Sequence, residues 1–196
     1  EQQSRNYRIH EEFINHVDIL PENVHLINSH ISKDELSAYC AEYDRLASDI
    51  DLLVIGMGEQ GQIGFNDMGV SAKSRTRLVQ LGHRAVTTQW SLFHGEGKVP
   101  SMAITLGIGT VLSAKSIILM AWGEDKAQVV SAVVEGEPTS AIPASLLQEH
   151  SDITVYTDDN AAALLTRVAT PWLVGSCDWT PKFVRKAVVW LCEKVH

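Results

Sequence analysis

The sequence predicts an α/β fold built on a mainly parallel sheet. Two observations carry this. Short apolar runs alternate along the chain with stretches of helical spacing, which is the pattern of strands joined by helical crossovers. The apolar run Leu52-Leu53-Val54-Ile55 also passes directly into a loop, Gly56–Asp67, that holds four glycines in its first nine residues. A glycine-rich loop at the C-terminal end of a buried strand is where open α/β sheets bind small molecules.

Each element follows from its own pattern. Residues 4–16 place Tyr7, Phe13 and Ile14 at near-helical spacing, and Asn23–Ile27 reads as a short strand. Ser32 or Asp34 can open a helix to about Ser48, with Leu36, Tyr39, Cys40, Tyr43 and Leu46 on one face. Residues 51–55 are a buried strand, and the alternation Arg75-Thr76-Arg77-Leu78-Val79 predicts another. Met102–Leu106 is closed by Gly107 and Gly109, and Ser116–Trp122, the strongest buried strand, is closed by Gly123. A helix follows over Glu124–Glu135, then a last strand over Ile153–Tyr156 and a helix over Asp158–Val168. The segment from Thr170 to Pro181 reads as an irregular connection. Thr180 caps a final helix with Phe183, Val184, Ala187, Val188 and Leu191 as its apolar face, and Trp172, Trp179 and Trp190 are expected to pack that helix on the core.

Composition narrows the function. The 196 residues are 45% hydrophobic, which suits a single domain over residues 1–196. A net charge of −8 argues against nucleic acid or an anionic membrane as partner. No apolar run approaches the ~18 residues of a membrane span. Three cysteines, Cys40, Cys177 and Cys192, are irregularly spaced, which fits a cytoplasmic, reducing compartment better than a disulfide framework. His25, His30, His94 and His150 lack metal-ligand spacing, and His10 and His16 are six apart, so neither metal nor cofactor is expected. The polar start Glu1–Asn6 shows no signal peptide.

The chemistry-bearing residues gather around the loop. Backbone N–H groups at Gly56, Met57 and Gly58 can hold a phosphate or a sugar hydroxyl, although a tight strand-to-helix turn explains the glycines equally well. Gln60 and Gln62 cannot transfer protons at neutral pH. Asp67 can serve as an acid/base group or simply as a turn residue. Lys126 sits early in a helix, where it opposes the macrodipole; a phosphate there would offset both charges, and an ordinary exposed lysine is the plainer reading. Lys73, Arg75, Arg77, His83 and Arg84 form a local basic excess. Arg75 and Arg77 share a strand face suited to gripping phosphate, or to a subunit contact.

Together these motifs resemble the glucosamine-6-phosphate deaminase/isomerase family, which is related to 6-phosphogluconolactonase. The similarity covers Phe13–Asp18 with Pro21–Val24, the loop 56–67, Ser74–Leu78, Val99-Pro100, Ala103–Thr110, Gly123 with Lys126-Ala127, Val134–Gly136 and Pro143–Gln148. The loop continues Ile63-Gly64-Phe65-Asn66 rather than with the Ser-Leu-Phe-Pro typical of lactonases, which favours the deaminase side. The tail from Thr170 to Thr180 is similar to a branch of bacterial homologues with an additional C-terminal domain.

The resemblance implies an open, Rossmann-like three-layer sheet with helices on both faces. It implies a small sugar-phosphate ligand, and a homo-oligomer is expected. Family loops carry Asp, His and Glu as a ring-opening relay; the matching positions here are Gln60, Gln62 and Asp67. Lys126 matches a phosphate-binding lysine. Arg75 and Arg77 match a pair whose second member belongs to an allosteric phosphate site in some bacteria. Ser91 lies near a phosphate-binding arginine position. The family's first strand, its phosphate loop and its proton-transferring Asp-Glu segment have no counterpart in this sequence, so a longer native polypeptide with an N-terminal strand-helix segment is expected. Three functions remain open at this stage. One is an amino-sugar-phosphate deaminase/isomerase weakened by Gln60 and Gln62. The second is a sugar-phosphate-binding sensor without turnover. The third is a 6-phosphogluconolactonase-like hydrolase.

Overall fold

The computed structural model describes residues 5–28, 30–82 and 100–195. In chain order they form α1 (Arg5–Glu12), α2 (Leu36–Leu46), β1 (Leu52–Gly56), β2 (Arg77–Gln80), β3 (Met102–Thr105), α3 (Ile108–Val111), β4 (Ser116–Ala121), α4 (Ala127–Glu135), β5 (Ile153–Thr157), α5 (Thr166–Ala169) and α6 (Pro181–Val195), with short 3₁₀ turns between them. The alternation of strand and helix expected from sequence is therefore present. Among the described residues, no helix is long and apolar enough to cross a membrane.

Several local expectations change. Asn23–Ile27 is not a strand: Pro21–Asn23 forms a 3₁₀ turn, for which Pro21 sets the first φ, and irregular chain follows. Arg75 stands before β2 rather than on it, because its guanidinium and the next backbone N–H are both held by a side chain from α2. The helix expected over Asp158–Val168 shrinks to four residues, Thr166–Ala169; Asp158 instead binds the Ala161 N–H and shapes a turn. Pro143–Glu149 is a 3₁₀ helix that periodicity did not reveal.

The chain divides into two compact units. The first comprises residues 1–51, 64–66 and 71–115. In it β2 and β3 pair antiparallel, with Arg77 opposite Thr105 and Gln80 opposite Met102. The unit is tied together at Asp44, a buried carboxylate on α2. Its Oδ1 accepts the Thr76 N–H at 3.0 Å, the Thr76 hydroxyl at 2.8 Å and the Thr110 hydroxyl, while Oδ2 accepts Arg75 Nε–H at 2.7 Å. One carboxylate thus joins α2, the approach to β2, and α3. Burial alone would raise its pKa; the donors from Thr110, Thr76 and Arg75 outweigh that and hold it down to about 2.

The second unit comprises residues 52–63, 67–70 and 116–196. Its sheet has the order β1-β4-β5, all parallel, with Leu53 opposite Ile117 and Ile117 opposite Ile153. Central β4 buries Ile117, Leu119 and Ala121 almost completely. Val130 and Val133 of α4 and Ala144 and Leu147 of the 3₁₀ helix complete this core. Gln148 Nε2 donates to the carbonyls of Val133 and Gly136 at 2.7 and 2.8 Å, which fixes the 3₁₀ helix to the end of α4. The other sheet face carries Leu52, Val54 and Tyr156, each about half exposed.

The final helix also departs from expectation. It has no buried residue; Phe183, Ala187 and Trp190 are half-buried and Val184, Val188 and Leu191 stay exposed. The three tryptophans pack on one another rather than on a closed core, Trp172 stacking on Trp179 at 6.0 Å and meeting Trp190 edge-on at 6.3 Å. An apolar spacing of residues defines a helix face, but the spacing does not supply the surface that covers it.

The Asp44 pKa lies below its unfolded value, so its stabilisation is complete above the unfolded pKa of ~3.9 and is lost as pH falls toward about 2. The expected size is about 2 kcal/mol. Asp44→Asn keeps one acceptor but turns an amide toward Arg75. Urea melts should show a loss of about 2–3 kcal/mol at pH 7 and a variant whose stability falls less than that of the parent between pH 4 and 2.

Candidate functional site

Parallel pairing puts three strand ends side by side. Gly56 of β1 lies opposite Met120, Met120 opposite Tyr156, and Ala121 opposite Thr157. The loops that leave β1, β4 and β5 therefore emerge at one edge of the sheet, the edge at which open α/β sheets place ligands. Among the described residues, a Cβ built on Gly56 would meet nothing within 4 Å, so the end of β1 is not crowded by them.

The loop after β1 is rigidly anchored. Met57 and Ile63 are buried and bridge antiparallel to each other, closing the loop at its neck. The Met57 N–H donates to Met120 O at 3.2 Å and the Gly58 N–H to Gln62 O at 2.9 Å, so these two donors, expected from sequence to hold a phosphate or sugar hydroxyl, instead close the loop. Gly61 has φ +77°, and a Cβ there would come within 2.5 Å of Ile142 Cγ2. Glycine is required at that point on both counts. The Gly61 carbonyl accepts the Ala144 N–H at 2.8 Å, so the loop tip is held by the 3₁₀ helix.

The two glutamines have distinct surroundings. Gln62 is half-buried and folds over Gly58, where a Cβ would collide with its Cδ at 2.5 Å. Its Oε1 accepts the Gln60 N–H at 2.9 Å, so the amide braces the loop from inside. Gln60 is exposed and contributes that backbone N–H.

Asp67 is exposed, and its Oδ1 accepts the Met68 N–H at 2.8 Å. That is the turn geometry the sequence offered as one reading, and it leaves the second carboxylate oxygen without a partner among the described residues. The Gly69 N–H donates to Ser140 O at 2.8 Å and fixes the segment that carries it.

Lys126 is not an ordinary exposed lysine. Its side chain is only 20% exposed and Nζ lies 3.0 Å from Asp125 Oδ2. It closes the 3₁₀ turn that leads from Gly123 into α4, with its N–H on Gly123 O at 3.1 Å. Gly123 has φ +94°, a conformation that turns the chain sharply at the end of β4.

Sequence reasoning missed Asp158. Its carboxylate accepts the Ala161 N–H at 2.8 Å and the Gly123 N–H at 3.1 Å, tying the loop after β5 to the loop after β4. Its pKa is lowered by the Ala161 N–H first, then by the Gly123 N–H, with a contribution from the positive charge of Lys126. The available signal was positional: an Asp one residue beyond β5, beside a Gly two residues beyond the neighbouring strand.

Gly56, Met57, Gly58, Gln60, Gln62, Asp67 and Lys126 all belong to the second unit. Arg75 and Arg77 belong to the first. There Arg75 spends its guanidinium on Asp44 while remaining half exposed, and Arg77 Nη1–H donates to Arg75 O at 3.3 Å. His83, Arg84, Ser91 and His94 lie outside the described residues.

A parallel sheet with a glycine-rich loop, a screened lysine and a capping aspartate at its carboxyl edge makes this an α/β protein of the open parallel-sheet class. Residues 1–156 match the family of glucosamine-6-phosphate isomerases/6-phosphogluconolactonase, and the chain belongs to that family. It is 39% identical over 186 residues to a glucosamine-6-phosphate deaminase-like protein of Bacteroides thetaiotaomicron, covering 93% of this chain and 28% of that one. It is 36% identical over 166 residues to the glucosamine-6-phosphate deaminase of a Thermoanaerobacter species, covering 83% of this chain and 65% of the other. The chain thus spans less than two thirds of the length of these curated relatives. A solved monomeric glucosamine-6-phosphate deaminase superposes with a TM-score of 0.78 at 36% identity, covering 84% of this chain and 68% of that one. The 6-phosphogluconolactonase of Trypanosoma brucei shares the fold, with a TM-score of 0.60 at 16% identity over 83% of this chain and 69% of its own.

Two substitutions separate the anchoring glycine from the open one. Gly61→Ala meets both a left-handed φ and Ile142, and a thermal melt should register a loss of about 2–3 kcal/mol. Gly56→Ala enters open space without a positive φ and should stay within ~0.5 kcal/mol of the parent.

Proposed function

We propose that the protein is a deaminase-like enzyme that takes an amino-sugar 6-phosphate and water to a ketose 6-phosphate and ammonia, with turnover slowed by its loop. The observation that carries the reading is the family membership of residues 1–156 combined with the placement of Gly56–Gln62 and Lys126 at one carboxyl edge of the sheet. In this reading the Lys126 ammonium holds the phosphate, while the N–H groups of Met57, Gly58, Gln60 and Gly61 are engaged by the protein and keep the loop in shape. Asp125 and Asp158 position that ammonium, and Asp67 is the remaining titratable group of the ring-opening relay.

Gln60 and Gln62 stand where the family carries Asp and His. An amide preserves hydrogen bonding but carries no transferable proton, and loss of a positioned acid/base group costs on the order of 10²–10⁴ in rate. The inward brace made by Gln62 favours a second reading, a sugar-phosphate sensor that binds without turnover. Here the amide serves loop rigidity and faces its own backbone.

Ammonia release from glucosamine 6-phosphate by the full-length polypeptide decides between them. Slow turnover that rises at least 10²-fold in the Gln60→Asp/Gln62→His double variant supports the enzyme. Ligand-dependent thermal stabilisation with no ammonia, in parent and double variant alike, supports the sensor. In either case Lys126→Ala should weaken binding about tenfold, seen as a raised KM or a lost thermal shift. Hydrolysis of 6-phosphogluconolactone without ammonia release would replace both readings with the lactonase.

A further inference from the structure

A groove of about 570 Å³ runs along α6, lined among others by Ala169, Lys182, Arg185, Lys186, Val189 and Trp190. It lies wholly in the second unit and beyond residues 1–156, the part that matches the family. Its volume is that of a small-molecule site.

The charge arrangement is the unusual part. Lys182, Arg185 and Lys186 stand at i, i+3 and i+4 on one helix, spacings at which like charges repel. The first turn of α6 holds no acidic residue, and Lys182 within it opposes the positive end of the helix dipole. None of the three makes a hydrogen bond or ion pair with a described residue, although the chain as a whole carries −8. Glu193, the one carboxylate on the lining, leaves the groove net positive. Three unneutralised cations beside a mostly apolar floor destabilise the free helix, and an anion seated among them removes that cost. The floor is itself specific: Trp190 is half-buried and held edge-on by Trp172 at 6.3 Å, so one aromatic surface is fixed beside the cations.

We propose that this groove binds a phosphate monoester carried on an apolar or aromatic body. The phosphate sits among Lys182, Arg185 and Lys186, and the body rests on Trp190, Val189 and Ala169. Arginine supplies paired donors to phosphate oxygens and the lysines supply point charge. The site is separate from the loop that carries Lys126 and does not depend on the proposed activity.

Titration calorimetry with 1-naphthyl phosphate tests this, with inorganic phosphate and 1-naphthol as the two half-ligands. The expected result is saturable binding tighter than either half-ligand, weakened by salt. It should fall at least tenfold in Arg185→Gln/Lys186→Gln and in Trp190→Leu, and persist in Lys126→Ala. The Arg185→Gln/Lys186→Gln protein should also melt no lower than the parent without ligand, because like-charge repulsion has been removed, and should lose the ligand-induced shift in Tm. Lys182→Gln alone, expected to weaken binding severalfold, serves if the double variant does not fold. The proposal is overturned by no binding, by binding that the groove variants leave unchanged, by loss in Lys126→Ala instead, or by equal binding of 1-naphthol. Association with phosphatidylserine vesicles but not with 1-naphthyl phosphate would overturn it in favour of a lipid surface.

Discussion

Everything at the candidate site depends on the parallel register of β4. Because Ile117 and Leu119 face the core between β1 and β5, the strand cannot slip by one residue without turning those side chains to the opposite face. That fixed register brings Gly56, Ala121 and Thr157 to the same edge. The loops are then stitched to one another by backbone donors: Met57 to Met120, Ala144 to Gly61, and Gly123 to Asp158. The backbone donors and Lys126 at this edge are thus held in place by neighbouring residues.

The loop after β1 is held together from inside in the same way. Gln62 fills the space above Gly58 and accepts the Gln60 N–H, so it maintains the loop even though it cannot move a proton. In the first unit Asp44 gathers three segments with one carboxylate, and in doing so it engages Arg75, which the sequence offered together with Arg77 as a phosphate grip or a subunit contact.

Much of this was legible in the residues. The apolar runs at Leu52–Ile55 and Ser116–Ala121, each followed within two residues by a glycine, marked the strands and their loops, although only β4 is buried and β1 leaves Leu52 and Val54 half exposed. The glycine spacing marked the loop, and Lys126 was found from its place at the start of a helix. Three of the departures share one cause. Asn23–Ile27, Arg75 and Asp158 lie where side chains or prolines capture backbone groups, and such local capture leaves no periodic trace. Asp158 could be recognised only once β5 was known to lie beside β4.

The sequence alone determined the α/β class, the strand-loop unit at Gly56–Asp67 and the absence of Asp and His at positions 60 and 62, because each is written in residue type and short-range spacing. Only the tertiary structure decided what those residues face: that Gln62 braces its own loop, that Lys126 is screened and paired with Asp125, that Asp67 caps a turn, and that the cations of α6 share an open groove. The physical reason is that a side chain's chemistry depends on the dielectric and the partners around it, and these come from segments distant in the chain.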